Sequence, residues 1–362
     1  MKKKVLILGG YGSYGSRITR VLAQDPSIEC VVAGRNPPKQ RNKKDSPVIY
    51  LTLDCNDPGT FGAVLPSMFA VINVRGSFDS QDYRIAEQCA TFGVHYVDLA
   101  DSRDYISGFE RLNRAAVRNG VLLVTGAGFS PTISTLLVDS VKHDFASISE
   151  INVFVSYGNK NMGGTASMRS LLSQIGRSMR LKGRGQWRTF RGWSKGRSVQ
   201  LPDPAGKRRL YLCDAPELEI LSERYQAETV TFRTGFELNV FNFGLSILSW
   251  LTSKNRIQHP ARLARALLRT GRFFRRMGSD HDAVGVRISG LANNSQAIVH
   301  NIFLVGRSGA GPIIPCAPVI GLVKKWVNDG VTQSGAMNGY DLIGFDDIKD
   351  ELRHHDVVMV RS

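Results

Sequence analysis

The sequence predicts an α/β protein, in which a doubly wound parallel sheet comes first and a second α+β domain built on a mixed sheet follows. In the first part of the chain, short apolar runs alternate strictly with helical segments, and the connections are short. Beyond Asp139, polar and apolar residues alternate as in half-exposed strands. We therefore expect a first domain over 1–135, a second over 136–310 and a C-terminal segment over 311–362 that returns to the first domain.

Six buried strands and four helices are predicted in the first domain. The strands are short runs rich in Val, Ile and Leu, as expected where helices cover both faces of a parallel sheet. They span 5–8, 29–33, 48–53, 70–74, 95–99 and 121–125. The helices span 13–24, 60–65, 80–92 and 105–119.

Seven further strands are predicted in the second domain, with helical stretches between some of them. They span 151–157, 186–190, 197–201, 210–213, 229–233, 284–291 and 297–305. A helix over 318–328 is expected to return toward the first domain. This mixture of strands and helices indicates an α+β domain on a mixed sheet.

The composition is that of an ordinary globular protein, with 42% hydrophobic and 22% charged residues in a chain of 362. Five scattered cysteines without a CxxC pair argue against a zinc site and favour a reducing, cytoplasmic compartment. The apolar run near the N-terminus stops at Gly9, so we interpret it as a buried strand rather than a signal peptide. No apolar run has the length of a membrane span.

The net charge of +16 calls for an anionic partner or an Arg-rich host. No nucleic-acid fold signature is present, so no nucleic-acid partner is expected. Between Leu238 and Ser279 there is no carboxylate, and five arginines recur at helical spacing beside the apolar segment 240–251. They are Arg262, Arg265, Arg269, Arg272 and Arg276. Two interpretations remain open, a solvated basic face or a peripheral contact with an anionic membrane surface at its inner face.

A glycine-rich turn follows the first predicted strand and opens the first helix. Its sequence is Gly10-Tyr11-Gly12-Ser13-Tyr14-Gly15, a G-x-G-x-x-G. In this context Gly10 permits the tight turn, Gly12 lets the backbone approach a pyrophosphate, and Gly15 lets helix and strand pack closely. The motif predicts a Rossmann-type dinucleotide site, with a glycine turn that holds no ligand as the alternative.

The end of the second strand predicts which dinucleotide is bound. An NAD site places Asp or Glu there to hold the ribose 2′-hydroxyl, whereas this chain has Arg35 followed by Asn36. A guanidinium pairs with a 2′-phosphate, so we expect NADP(H). Further cations extend the positive field, namely Lys39, Arg41, Lys43 and Lys44. Asp54, after the third strand, is expected to reach the adenine amino group or else to form a turn.

These elements, in this order, resemble the saccharopine dehydrogenase-like family of NADP-binding oxidoreductases over nearly the whole chain. The residues that carry the resemblance are 9–15, 33–35, 96–99, 126–131, 212–217, 311–318 and 335–336. The resemblance implies a Rossmann domain, an inserted α+β domain and a homodimer. It also implies hydride transfer to or from a C=N bond, as in saccharopine, or a lipid enoyl C=C bond.

Substrate chemistry is expected at the carboxyl ends of the strands, where open parallel sheets bind their ligands. We expect Arg75 and Gly76 to border the cofactor there. Asp98 and Asp101 are the nearest carboxylates for a proton donor, although Asp98 also fits a purely structural role. Ser130 and, from the second domain, Tyr157 are candidates for substrate contact.

The leading hypothesis is therefore an NADP(H)-dependent oxidoreductase acting on a small-molecule substrate. A non-catalytic NADP-binding regulator and a peripheral membrane protein resembling an enoyl reductase are the alternatives. His281 and Asp282 lack a third ligand at metal spacing, so no metal is expected. No G-x-S-x-G or H-E-x-x-H occurs, which argues against a hydrolase.

Overall fold

A computed structural model of the chain describes residues 2–36, 47–161, 163–274 and 276–362. It contains two compact units. The first unit comprises Met1–Thr132 and Pro315–Ile348, and the second comprises Ile133–Ile314 and Lys349–Ser362. Each unit is built on its own seven-stranded sheet.

The strands and helices follow one another as below. The strands are β1 (Lys3–Leu8), β2 (Ile28–Gly34), β3 (Val48–Thr52), β4 (Ala70–Asn73), β5 (His95–Asp98), β6 (Leu122–Thr125), β7 (Phe145–Tyr157), β8 (Ser178–Gly183), β9 (Gln186–Arg191), β10 (Ser194–Gln200), β11 (Lys207–Leu212), β12 (Thr229–Phe236), β13 (Asp282–Ala292), β14 (Ala297–Gly306), β15 (Gly335–Asn338) and β16 (Val357–Arg361). The helices are α1 (Ser13–Leu22), α2 (Pro58–Val64), α3 (Arg84–Thr91), α4 (Arg103–Ser107), α5 (Asn113–Arg118), α6 (Ser134–Asp139), α7 (Thr165–Gln174), α8 (Glu217–Arg224), α9 (Asn239–Ser253), α10 (Ala264–Phe273), α11 (Ala317–Asp329) and α12 (Asp346–His354).

The sheet of the first unit is entirely parallel, in the order β15-β6-β5-β4-β1-β2-β3. The predicted Rossmann-type α/β class is confirmed, and all six predicted strands are present. β15 was not predicted, because four residues containing a glycine carry no strand signal of their own. In a parallel sheet every strand ends at the same edge, so all the loops that follow β1 to β6 meet there.

The strands of the first unit form because their side chains are apolar on both faces. Val5 to Leu8 are almost completely buried, and α1 covers them with Ile18, Val21 and Leu22. His95, at the start of β5, accepts a hydrogen bond at Nδ1 from the Leu122 N–H at 3.1 Å. Burial lowers the pKa of His95, so this histidine packs as a neutral ring at the amino edge.

The helix predicted over 105–119 is interrupted in the structure. It consists of α4, a 3-10 turn over Phe109–Leu112 and α5. A Cβ at Gly108 would collide with the hydroxyl of Tyr83, which donates a hydrogen bond to the Tyr105 carbonyl at 2.9 Å. Helical periodicity extends through the interruption because both helices bury the same face, so the break was not predicted.

The second unit carries a mixed sheet in the order β10-β11-β12-β7-β13-β14-β16. β12 lies parallel to β7, and the other pairs are antiparallel. All the strands predicted here are present, and β9 pairs with β8 in a separate two-stranded sheet. β8 and β16 were not predicted, although the apolar run at 357–360 in β16 is itself a strand signal.

The C-terminal segment is divided between the units. The α11 helix packs against α1 in the first unit, and β15 extends the first sheet. The last residues differ from the expectation that all of 311–362 returns, because β16 pairs with β14 in the second unit. Within the described ranges, no helix is both long enough and apolar enough to cross a membrane.

Candidate cofactor site

The glycine turn after β1 is held by close backbone packing. Gly9 has φ +83°, and a Cβ there would lie 2.8 Å from the Val74 carbonyl oxygen. The left-handed turn residue is therefore Gly9, and the prediction that Gly10 supplies the tight turn was wrong. Gly10 is required for another reason, since a Cβ at this position would run into the side chain of Val32 on β2.

The two later glycines bring the start of α1 onto the turn. The Gly12 N–H donates to the Gly9 carbonyl at 2.9 Å, and a Cβ at Gly15 would collide with that carbonyl. A Cβ at Gly12 would lie 3.1 Å from the same oxygen, so a branched side chain has no room on this side of the turn. The turn is thus a cradle that only glycine backbone can form.

The α1 helix begins at this cradle with its positive end toward it. No side chain caps the helix, and its first turn contains no acidic residue. The Arg17 guanidinium donates hydrogen bonds to the Ser13 carbonyl at 2.6 Å and to the Ser13 hydroxyl at 3.1 Å. The carbonyl of Tyr14 accepts a hydrogen bond from the Cys316 thiol. A helix start without acidic residues favours an anion such as a pyrophosphate.

Beside the turn, an aromatic ring packs on the end of β2. The Tyr11 ring lies against Gly34, where a Cβ would come within 2.7 Å of it, and stacks with Tyr50 at a centroid distance of 6.1 Å. Arg35 and Asn36 follow Gly34 and are exposed. Tyr11 was not predicted as a site residue. The available signal was Gly34, whose missing side chain leaves room for a ring.

The Arg35 side chain has no hydrogen-bond or ion-pair partner among the described residues. The cations at 39, 41, 43 and 44, expected to extend its field, lie outside the described residues. After β3, the Asp54 carboxylate accepts the Asn56 N–H at 3.0 Å and is exposed. This is the turn geometry that was weighed as the alternative for Asp54, and the adenine contact stays a prediction.

A hydrogen-bond network crosses the carboxyl edge of the sheet, beginning at Arg75. Its guanidinium donates to four neutral acceptors on the loops around it. They are Cys55 Sγ at 2.8 Å, Asn56 Oδ1 at 3.2 Å, Asn73 Oδ1 at 3.3 Å and Gln81 Oε1 at 3.4 Å. Within the described ranges Arg75 has no carboxylate partner, so its charge remains available to an anion. Gly76, the next residue, is exposed with φ +47°.

The network continues from β4 into β5. The Asn73 Nδ2 donates to the Tyr96 hydroxyl at 3.0 Å, and this hydroxyl donates to Asp98 Oδ2 at 3.0 Å. Tyr96 is fully buried, which raises its pKa well above the usual value and keeps the hydroxyl protonated. The ends of β3, β4 and β5 are therefore joined by polar side chains rather than by packing alone.

Asp98 terminates the network and anchors the loop after β6. Its Oδ1 accepts three hydrogen bonds, from Ala100 N at 3.0 Å, Thr125 Oγ1 at 2.9 Å and Gly126 N at 2.9 Å. Burial raises the pKa of Asp98 to about 6, although these hydrogen bonds oppose the shift. The side chain is completely buried. The geometry does not fit the predicted proton donor and supports the structural role, whereas Asp101 is exposed and stays a prediction.

The loop that Asp98 anchors is tightly built. Gly126 has φ +66°, a Cβ there would meet the Pro131 ring, and its carbonyl accepts the Thr132 hydroxyl at 2.7 Å. Ser130 is half-buried in this loop, and its substrate contact stays a prediction. Tyr157 ends β7 in the second unit, where it packs with Phe236, so its predicted substrate contact is likewise untested.

The second unit has its own buried polar cluster, which sequence reasoning missed. Glu237 pairs with buried Arg208 at 3.2 Å and accepts the backbone N–H groups of Asn159 and Ser279. Burial raises the pKa of Glu237, but these partners outweigh it and lower the value. Asp282 accepts the Gly158 N–H at 2.6 Å. These groups tie loops together, and no metal-binding cluster occurs among the described residues.

The fold and the glycine cradle define a dinucleotide-binding domain of the Rossmann class. Residues 5–124 match the family described as the saccharopine dehydrogenase NADP binding domain. The first domain is therefore similar to this family of NADP-binding domains, and the match is confined to that part of the chain.

Solved structures extend the likeness in fold beyond the matched domain. Saccharopine dehydrogenase (L-Glu forming) from Saccharomyces cerevisiae is 15% identical, with a TM-score of 0.68 over 99% of both chains. Homospermidine synthase from Legionella pneumophila, in complex with NAD, is 12% identical, with a TM-score of 0.65 over 100% of this chain and 92% of that one. At such identities the likeness shows the fold. No curated protein matches the sequence significantly.

Proposed function

We propose that the protein transfers hydride between NADP(H) and a C=N or C=C bond of a small-molecule substrate. The observation that carries the cofactor choice is the end of β2, where an exposed arginine stands in place of the carboxylate that an NAD site uses. Arg35 would pair with the 2′-phosphate, and Asn36 would border it. The dinucleotide itself supplies the hydride.

The remaining cofactor contacts follow from the cradle and the polar network. The Gly12 backbone and the first turn of α1, with Ser13 and Tyr14, would hold the pyrophosphate. Tyr11 would border the adenosine, with Asp54 beyond it. Arg75 is held in place by four neutral acceptors, so its unpaired charge and Gly76 can face the cofactor without rearrangement.

The proton requirement depends on the bond that is reduced. An iminium carbon accepts hydride without a proton donor, whereas an enoyl substrate leaves a carbanion that must be protonated. With Asp98 committed to two backbone N–H groups and two hydroxyls, Asp101 is the remaining carboxylate of this loop for that task, and Ser130 would contact the substrate. We also propose that the protein is a homodimer, as the resemblance implies, and that it is cytoplasmic, which its five free cysteines support.

The cofactor choice is tested by titrating the protein with NADPH and NADH. We expect NADPH to bind at least about tenfold more tightly, the value of one charge-assisted pair near 1.4 kcal/mol. Arg35→Asp should reverse the preference, and Arg35→Gln should abolish it. Arg20→Asp, on the exposed end of α1, is the matched control and should leave both affinities unchanged.

The reaction is tested by following NADPH absorbance with two substrate panels. One panel combines α-keto acids with amines, and the other contains enoyl thioesters of increasing chain length. Oxidation with either panel that disappears in Arg35→Asp supports the proposal. Equal affinity of the unaltered protein for both dinucleotides would exclude the role of Arg35, and tight binding without turnover on both panels would favour a regulator.

A further inference from the structure

One face of α9 exposes large apolar side chains. Val240, Phe243, Ile247 and Trp250 are 58%, 67%, 46% and 45% exposed, and their spacing puts them on one side of the helix. The opposite side is buried in the core of the second unit. The helix contains no charged residue. We call these four residues the apolar stripe, and a continuous apolar patch of this kind marks an interaction surface.

The segment that carries the apolar stripe is rich in cations and contains no carboxylate. From Leu238 to Ser279 the sequence contains eight Lys and Arg and no Asp or Glu. The Arg256 guanidinium carbon lies 5.6 Å from the centroid of the Trp250 ring. Positive charge therefore meets the stripe directly at its C-terminal end.

The α10 helix adds a second amphipathic element. Arg265 and Arg269 are exposed on it, and beyond them Phe273 and Met277 are 92% and 59% exposed. The five-arginine helical face expected from the sequence is shorter in the structure, because α10 spans Ala264–Phe273 and excludes both Arg262 and Arg276. The side chain of Arg272 lies outside the described residues.

The two helices share one core, so their outward faces keep a fixed arrangement. Phe241 and Leu245 of α9 pack in the same cluster as Ala264 of α10, with Leu267 and Leu268 against it. Phe241 also meets the Phe274 ring edge-on at a centroid distance of 5.5 Å. Because the inner faces of α9 and α10 pack in the same core, the apolar stripe and the arginines of α10 stay exposed on the same part of the second unit.

We propose that this surface docks on an anionic lipid bilayer, with α9 lying in the interface. An apolar helix face bordered by Lys and Arg, with a Trp among its apolar residues, has the composition of an interfacial element. The charge selects the occupant, since a bilayer containing anionic lipids is complementary to a segment whose sequence holds eight cations and no carboxylate. The α9 helix has 15 residues, fewer than the roughly 20 apolar residues that a membrane span needs. One of its sides is also buried in the core of the second unit.

A second copy of the chain is a poorer occupant of this surface. A twofold contact through the apolar stripe would bring the same cations of both copies together without a carboxylate between them. Like charges that approach in this way oppose association. The homodimer of the proposed function would therefore use a different surface.

The proposal is tested by sedimenting the full chain with vesicles. Vesicles of phosphatidylcholine with about one-third phosphatidylglycerol are compared with pure phosphatidylcholine at low and high salt. We expect binding to the anionic vesicles only, and release by salt. Arg265→Gln with Arg269→Gln should weaken partitioning about 25-fold, at roughly fivefold for each arginine near the surface.

The apolar contribution is tested by Phe243→Gln with Ile247→Gln, which should weaken partitioning at least about tenfold. Brominated acyl chains should quench the emission of the bound protein, and Trp250→Phe should remove that quenching. The matched control is Arg114→Gln with Arg118→Gln, two exposed arginines of α5 in the first unit. The control should bind vesicles normally, and every variant should keep its melting temperature and NADPH affinity.

Three results would overturn the proposal. One is absence of binding to anionic vesicles at low salt. Another is binding that is unaffected by the substitutions in the apolar stripe or that responds equally to the α5 control. The third is a loss of oligomerisation in Phe243→Gln with Ile247→Gln, because a second copy would then cover the stripe. NADPH affinity is measured separately, so failure here leaves the proposed cofactor function intact.

Discussion

The two seven-stranded sheets organise their polar groups in different ways. In the first unit all strands are parallel, and the ends of β3 to β6 are joined by the network from Arg75 to Asp98. In the second unit neighbouring strands mostly run antiparallel, so their ends are distributed over both edges. The first sheet therefore gathers polar side chains at one edge. In the second unit, the surface that stands out is the apolar stripe, which lies on the helix α9.

Both units nevertheless use a buried aspartate to hold loops. Asp98 accepts three hydrogen bonds on one oxygen, and Asp282 accepts the Gly158 N–H and the Asn161 side chain. Burial raises the pKa of Asp98 to about 6 and that of Asp282 to about 7, against hydrogen bonds that lower both. A buried carboxylate with a raised pKa is thus a loop anchor in each unit, which shows that such a shift does not by itself mark a catalytic acid.

The largest effect is expected at the glycine cradle. Gly12→Val should abolish NADPH binding while the protein remains folded, because the branched side chain fills the position of the pyrophosphate. Titration calorimetry and melting temperature measure the two properties. Gly244→Val, on the outward side of α9 where a Cβ meets nothing within 4 Å, is the matched control and should keep full affinity. If Gly12→Val still binds NADPH, the glycine turn has only a structural role and does not hold the cofactor.

The next prediction compares the loss of stability when either of the two anchoring aspartates, Asp98 or Asp282, is replaced. Asp98→Ala leaves four donors without an acceptor and should lower the free energy of unfolding by about 3–5 kcal/mol. They are the Ala100 N–H, the Gly126 N–H, the Thr125 hydroxyl and the Tyr96 hydroxyl. Asp282→Ala leaves two donors and should cost about 2–4 kcal/mol. Urea unfolding gives these values.

Hydrogen exchange distinguishes the anchors by location. Asp98→Ala should speed exchange at the Gly126 amide, and Asp282→Ala should speed it at the Gly158 amide. Asp98→Asn keeps an acceptor oxygen and should cost only about 1 kcal/mol. A large loss of turnover in Asp98→Asn without a loss of stability would contradict the structural assignment and restore a catalytic one.

The dependence of stability on pH is expected to be a smaller effect than the loss of either anchor. A carboxyl with a raised pKa in the folded state binds its proton more tightly there than in the unfolded chain, so folding is favoured as pH falls. For Asp98 the contribution to the free energy of unfolding should rise by roughly 1–3 kcal/mol as pH drops from 8 to 4.5. Asp98→Asn should remove this slope relative to the unaltered protein. An unchanged slope would mean that the burial of Asp98 does not perturb its titration.

The first unit was predictable because its signals are local. Strand periodicity, the glycines and the position of Arg35 each depend on a few neighbouring residues, and the six strands follow from them. Gly9 was missed as the turn residue because adjacent glycines are equivalent in sequence, and only the approach of Val74 distinguishes them. β15 was not predicted for a related reason, since its four residues form a strand only by pairing with β6.

By itself the sequence determined the α/β class, the cofactor loop and the missing carboxylate after β2, because periodicity and residue type act over short distances along the chain. Only the tertiary structure decided that Asp98 is an anchor, that Arg75 lacks a carboxylate partner among the described residues, and that α9 turns an apolar face outward. Each of these depends on groups far apart in sequence, whose burial and hydrogen bonds arise when the chain packs.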